Sequence, residues 1–178
     1  MPYYTRLMRA EDIRQVNYID RDAFPTMLPP ADFVRELYSP LAHYIVATKE
    51  GDSDELAGFA GFWLMANEAH IVNLAVRECY QRQGVGELLL LSLIDLAANM
   101  RASLITLEVR ASNEVAQKLY SKYGFSTRGI RRGYYSDNRE DAVIMTVDDI
   151  ASPGYRRRLK QLERAYNAKW RACWRLGS

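Results

Sequence analysis

At 178 residues the chain is the size of one ordinary domain, long enough to bury a continuous core. Its 48% apolar and 26% charged residues exclude a disordered or low-complexity chain, and two cysteines and two histidines are too few for a disulfide scaffold or a Cys/His zinc cluster. The net charge of +2 is unevenly spread: residues 155–178 hold eight Arg/Lys against Glu163 alone, net +7, which leaves −5 on the body.

Strand and helix signals alternate along the chain. Tyr3–Met8 reads as a strand. Ala10–Ala23 carries Ile13, Val16 and Ile19 at helical spacing, with acids in its first turn. The prolines of Phe24-Pro25-Thr26-Met27-Leu28-Pro29-Pro30 break that helix, and a short helix around Ala31–Tyr38 stops before Ser39-Pro40. His43–Thr48 and Leu56–Met65 form a hairpin across the polar turn 50–54, and His70–Val76 is a further strand. Gly84–Met100 is a helix whose stripe is Val85, Leu88, Leu89, Leu93, Leu96 and Ala97. Ser103–Val109 is a strand, and Asn113 caps a helix that runs to Tyr123 and ends at Gly124. Phe125–Ile130 and Ala142–Val147 close the sheet around a tyrosine-bearing loop. Pro153 starts a basic helix. The fold class is α/β, an α+β mixed sheet flanked by helices, with a domain over residues 1–150 and a basic amphipathic helical extension over 151–178. The N-terminus lacks an apolar signal segment. The longest apolar run, Leu88–Ala98, is broken by Ser92 and Asp95 and is too short for a bilayer. A cytoplasmic protein with no membrane contact and no metal is expected.

The sharpest local signal is Gln81-Arg82-Gln83-Gly84-Val85-Gly86, joining a strand to a helix. Glycines at a helix start let backbone N–H groups approach an anion, and the helix dipole favours phosphate there. The bland alternative is a plain tight turn. The stretch lacks the third glycine of a dinucleotide fingerprint and the Gly-Lys-Ser/Thr of a P-loop. It does match the Gln/Arg-x-x-Gly-x-Gly/Ala motif of GNAT acyltransferases, and the resemblance continues. Leu107-Glu108-Val109-Arg110-Ala111-Ser112-Asn113, then Ala116-x-x-Leu119-Tyr120-x-x-x-Gly124-Phe125, resembles the second half of the same site. Arg131-Arg132-x-Tyr134-Tyr135 and Glu140-Asp141-Ala142-x-Ile144-Met145 resemble the closing hairpin of the RimI-type subgroup, the N-terminal acetyltransferases of ribosomal proteins. The similarity spans Tyr3 to Val147 and is dense from Asn73 to Met145.

The resemblance implies a GNAT-like fold and acetyl-CoA as cosubstrate. Gln81, Arg82, Gln83, Gly84, Val85 and Gly86 would cradle its pyrophosphate, and Asn113 would touch the CoA arm besides capping its helix. A bulge in the strand equivalent to Asn73–Val76 would splay the sheet, so that the main chain of Leu74, Ala75 and Val76 pairs with the pantetheine. Glu87 departs from the subgroup, which has a basic or small residue there; an acid in a first helical turn suits the dipole but not a neighbouring pyrophosphate.

Moving an acetyl group from a thioester to an amine needs a neutral amine, an oxyanion stabiliser and a proton for the thiolate. The resemblance makes Glu108 the general base, directly or through water; the plainer reading is an ion-paired carboxylate, with Arg110 on the same strand face as its partner. It makes Tyr120 the general acid, against a core aromatic beside Leu119 and Tyr123. Glu68 and His70 stand at the strand entrance as a second base, although His70 alternates with Val72 and Leu74 and reads as a satisfied core histidine. Cys79 has no His–acid arrangement nearby in sequence, so direct attack is preferred to an acyl-cysteine route.

An α-amine, with an ordinary pKa near 8 against about 10.4 for lysine, is the easier acceptor to neutralise. Phe24, Tyr134 and Tyr135, from the proline-rich segment and the tyrosine loop, are expected as walls for a protein or peptide N-terminus. The tail places Tyr155, Leu159, Leu162, Tyr166, Trp170 and Cys173/Trp174 on one stripe, which docks on its own domain or builds a homodimer; a ribosome or RNA contact through the arginines is the alternative. The function expected is acetyl transfer from acetyl-CoA to the N-terminal α-amine of a ribosomal-protein-like substrate. Two alternatives stand beside it: an N-acetyltransferase of a small amine (a polyamine or an aminoglycoside), and a non-catalytic acetyl-CoA-binding module contacting ribosome or RNA.

Overall fold

A computed structural model describes residues 3–27, 29–49, 51–170 and 176–177, without the side chains of 52–54 and 176–177. Strand β1 (Tyr3–Leu7) leads through a 3-10 turn into helix α1 (Ile13–Ala23), and α2 (Phe33–Leu37) follows the proline segment. Then come β2 (Ala42–Lys49), β3 (Asp52–Met65), β4 (Glu68–Val76) and the long α3 (Val85–Asn99). Next are β5 (Leu104–Arg110), α4 (Glu114–Lys122), β6 (Ser126–Arg131) and β7 (Ala142–Val147). Helix α5 (Pro153–Trp170) and a two-residue β8 (Leu176–Gly177) close the chain. The extension is thus not wholly helical. Cys173 and Trp174 lie outside the described residues.

The strands form one mixed sheet in the order β6-β7-β5-β4-β3-β2-β1-β8, antiparallel except for the parallel pairs β4–β5 and β1–β8. Each face carries a core. On one face α3, α4 (with its Tyr120) and α5 cover Ile71, Leu107 and Val109; on the other α1 and α2 cover Val46, Phe59, Val72 and Ala75. The four consecutive leucines Leu88–Leu91 are all buried, which needs apolar partners on more than one side of α3. Leu159, Leu162, Tyr166 and Trp170 of α5 pack on the same core. The Tyr155 hydroxyl ties the start of α5 down, donating to the Tyr123 carbonyl at 2.9 Å. The stripe from Tyr155 to Trp170 is therefore spent on its own domain. Among the described residues no helix is long and apolar enough to cross a membrane.

The strand pair β4–β5 decides where a ligand fits. The two strands pair only from Glu68↔Leu104 to Ile71↔Leu107 and then part. The opening coincides with a β-bulge in β4: Gly61 faces Asn73 and Phe62 faces Ile71, leaving Val72 unopposed. The bulge thus falls just before the Asn73–Val76 stretch expected to hold it. An extra residue reverses the alternation beyond it, so Val72 and Asn73 both face α1 while Ile71 and Leu74 face α3.

Candidate active site

The split between β4 and β5 opens into a cavity of about 470 Å³. Ile71–Leu74 form one wall, Leu107–Arg110 the other, with Asn113, Ala116, Leu119 and Tyr120 of α4 behind. Residues 23–27 and the loop positions Tyr135, Asp137, Asn138 and Glu140 close it over the top. The Thr26 hydroxyl donates to Asp137 Oδ2 at 2.6 Å and joins those two roof segments.

Glu108 is the first residue of β5 beyond the last β4–β5 pair. Its partner is not Arg110. His70 Nε2–H donates to Glu108 Oε2 at 2.5 Å and Arg131 Nε lies 3.2 Å from Oε1, while Arg110 is taken by Asp137 and Glu140. His70 is accordingly no core histidine: a third of its side chain is exposed and its ring is committed to Glu108. The hydrogen bond from His70, helped by the charge of Arg131, holds the Glu108 carboxyl below the usual carboxylate range against the opposing effect of burial.

Tyr120 reaches the split from the other face. It packs on Phe125 and joins the core that holds Leu107 and Val109, whereas Glu108 alternates away from those two residues. Burial pushes its phenol up to about 12, and its hydroxyl makes no hydrogen bond among the described residues. A carboxylate on one face of a gap and an open, neutral phenol on the other is an arrangement for moving protons through it.

The helix-start motif lies outside this cavity, at the far end of β4. Gly84 caps α3 with φ +84°; the first-turn amides of Val85, Gly86 and Glu87 have no intrahelical acceptor, and among the described residues no side chain caps them. Arg82 is exposed and also left-handed, at φ +59°. The side chains of Gln81 and Gln83 serve the loop itself: Gln81 donates to the Val76 carbonyl at 3.3 Å, and Gln83 bridges Tyr3 and the Cys79 carbonyl. Val85 is core. Trp170 of α5 lies over Gly84, close enough that a Cβ there would sit 2.5 Å from its ring. Glu87 turns to Lys122 and Tyr123, accepting the Tyr123 hydroxyl at 2.7 Å. Uncapped amides at one end and an open strand gap at the other fit the diphosphate and the pantetheine arm of a coenzyme A.

Of the remaining expected residues, Asn113 lines the cavity and caps α4, its Oδ1 accepting from the Ala116 amide at 3.1 Å. Leu74 lines the cavity too, Ala75 is packed under α1, and the Val76 side chain rests on the α3 core. Phe24 and Tyr135 form walls; Tyr134 does not. It is half exposed, edge-on to Tyr135, whose ring carries the Arg110 guanidinium at 3.9 Å. Among the described residues no group of three or more His, Cys, Asp or Glu could hold a metal ion. Sequence reasoning passed over Asp20, Asn73, Thr26 and Asp137. An acid at Asp20, four residues after Val16 on the apolar stripe of α1, was the available signal.

The mixed sheet opened at a β4 bulge, with an uncapped helix following β4, defines an acyltransferase of the acetyl-CoA type. Residues 12–125 match the family model described as the Acetyltransferase (GNAT) family, and the chain belongs to that family. A Bacillus subtilis protein provisionally named a ribosomal protein bS18-alanine N-acetyltransferase is 43% identical over 143 residues, 80% of this chain and 93% of that one. The Mycobacterium tuberculosis N-alpha-acetyltransferase RimI is 39% identical over 124 residues, 67% of this chain and 75% of that one. Among solved structures, the ribosomal-protein-S18-alanine N-acetyltransferase of Escherichia coli superposes with a TM-score of 0.72 at 33% identity, covering 83% of this chain and 94% of that one.

Proposed function

We propose that this GNAT enzyme acetylates the N-terminal α-amine of a protein, with a ribosomal-protein-like acceptor. The observation that carries the reading is the placement of Glu108 and Tyr120 on opposite faces of one strand gap, both lining the same cavity. The names of the Bacillus, Mycobacterium and Escherichia relatives support the acceptor class.

Acetyl-CoA supplies the activated acetyl thioester. The first-turn amides after Gly84 hold its diphosphate, and the main chain of Leu74–Val76, freed from β5, holds the arm and offers an N–H to the thioester carbonyl. The acceptor enters from the α1 face. Its nitrogen becomes strongly acidic as it bonds to the carbonyl carbon, so Glu108 collects the proton although its own pKa is low, directly or through one water. Tyr120 gives a proton to the departing thiolate from the opposite face; with its pKa near 12 it carries that proton at any working pH. The basic side of α5, with Arg156, Arg157 and Arg164 exposed, is the part available to ribosomal RNA, whereas the packing of Tyr155–Trp170 on their own core disfavours a homodimer through this helix. A ribosomal acceptor places the reaction in the cytoplasm.

The test is to incubate the protein with acetyl-CoA, a library of peptide N-termini, N-blocked lysine peptides and small amines, and to locate the acetylated nitrogen by mass spectrometry. Acetylation at α-nitrogens is the expected result. Exclusive modification of polyamines or aminoglycosides, or none with salt-sensitive RNA binding, overturns the reading.

A further inference from the structure

Four carboxylates and one cation, Arg110, line the cavity. Three of the carboxylates already have a cationic partner: Glu108 has Arg131 besides its hydrogen bond to His70, and Asp137 and Glu140 share Arg110. The fourth, Asp20, is 5% exposed and makes no salt bridge among the described residues. A buried carboxylate without a cation is costly, and proteins keep few of them without a reason.

The surroundings hold Asp20 in place without neutralising it. Asn73 Nδ2 donates to Asp20 Oδ1 at 3.2 Å, and the Tyr44 hydroxyl donates to Asn73 Oδ1 at 3.0 Å. An ionised carboxylate only accepts, so Asp20 takes the Asn73 Nδ2 and leaves Oδ1 to the Tyr44 hydroxyl. Two backbone features make this possible. The Val72 bulge turns Asn73 towards α1. Gly61, opposite Asn73 in β3, leaves room for the Tyr44 ring, which a Cβ there would meet at 2.3 Å. Three strands and a helix thus aim one charged oxygen pair at a cavity, on the same face as Glu108.

We infer that Asp20 is the subsite for the positively charged N-terminus of the acceptor, a residue that binds the incoming ammonium before Glu108 takes its proton. This inference rests on the acceptor class proposed above and names the group that recognises it. An α-amine with an ordinary pKa near 8 arrives at neutral pH mostly as ammonium, and Asp20 is the one lining carboxylate that has no salt bridge to a cation among the described residues. Burial raises its pKa to about 6, so it is ionised where the ammonium is still charged. Acetylation converts the ammonium to a neutral amide, which no longer satisfies Asp20, so the same contact that draws substrate in releases product.

The test compares wild type with Asp20→Asn and Asn73→Ala, using an accepted peptide, its N-acetylated form, and the hydroxy-acid analogue that lacks the amine. Asp20→Asn should raise the peptide KM at least tenfold, with kcat and the acetyl-CoA KM within about threefold. It should leave binding of the two uncharged peptides unchanged, and its Tm should equal or exceed that of wild type, because a buried charge is removed. Asn73→Ala should raise the peptide KM less, through a loosened Asp20. An unchanged peptide KM in Asp20→Asn, or equal weakening of charged and uncharged peptides, overturns the assignment while leaving the acetyltransferase reading intact. A wild-type enzyme that acetylates no peptide overturns both.

Discussion

His70 Nε2 and Glu108 Oε2 lie 2.5 Å apart across the parallel β4–β5 pair, at the step where the two strands part. Glu108→Gln keeps the shape but removes the base, and kcat should fall by roughly 10²- to 10⁴-fold with little change in acetyl-CoA binding. His70→Ala should cost less and act through pH. His70 is the main cause of the lowered Glu108 pKa, so its loss lets that pKa rise. The base form exists above the pKa, and the acid limb of kcat/KM should therefore move to higher pH in His70→Ala. A limb that stays in place rejects the coupling.

Tyr120→Phe tests the opposite face of the gap. The lost hydroxyl has no hydrogen-bond partner among the described residues, so the variant should be as stable as wild type, since nothing is left unpaired. Turnover should nevertheless drop by about 10²-fold with the acetyl-CoA KM nearly unchanged. Steady-state kinetics beside a thermal melt separates the two effects. Unchanged kcat removes the acid role.

The strands and helices were legible because their signals are local: apolar spacing, the Asn113 cap and the Gly124 stop all lie within a few residues of what they specify. The cofactor motif and the Glu108–Tyr120 pair were legible through a family resemblance. What escaped depends on pairings across the sheet. Arg110 finds Asp137 and Glu140, 27 and 30 residues on, rather than the adjacent Glu108. A main-chain bulge leaves no mark in residue identity, so Val72 and the turning of Asn73 could not be read. Glu87 looked ill placed beside a diphosphate. It is drawn instead to Lys122 and Tyr123 at the C-terminal end of α4, so its charge is compensated within the protein.

The loop over the cavity should open in acid. Thr26 and Arg110 hold Asp137 at about 2, down from an ordinary 3.8. Bonds from the Ser112 amide and from Arg110 bring Glu140 to about 2, from 4.5. A carboxylate with a depressed folded-state pKa stabilises the fold above its ordinary value, and that contribution is lost as pH falls through the depressed one. The roof should stay intact at pH 5 and loosen between about pH 4 and 2. Glu140 Oε1 accepts the Ser112 amide at 2.8 Å, so the Ser112 amide resonance followed by NMR should titrate near pH 2. A midpoint near 4.5 means the bond does not form in solution.

The contact between Trp170 and Gly84 links the extension to the cofactor loop and yields a double-mutant cycle. Gly84→Ala meets two obstacles, a left-handed φ of +84° and the Trp170 ring 2.5 Å from the new methyl. The first costs about 1–2 kcal/mol wherever the indole lies; the second exists only while Trp170 is present. Trp170→Ala alone should cost about 2 kcal/mol, below the loss at fully buried tryptophans, because the side chain is half-buried. In the double variant the clash disappears and only the backbone strain adds to the loss of the ring. Urea denaturation should therefore give a double variant more stable than the sum of the singles predicts, by at least about 1 kcal/mol. Strict additivity places α5 away from the loop, and the diphosphate cradle then stands without the indole beside it.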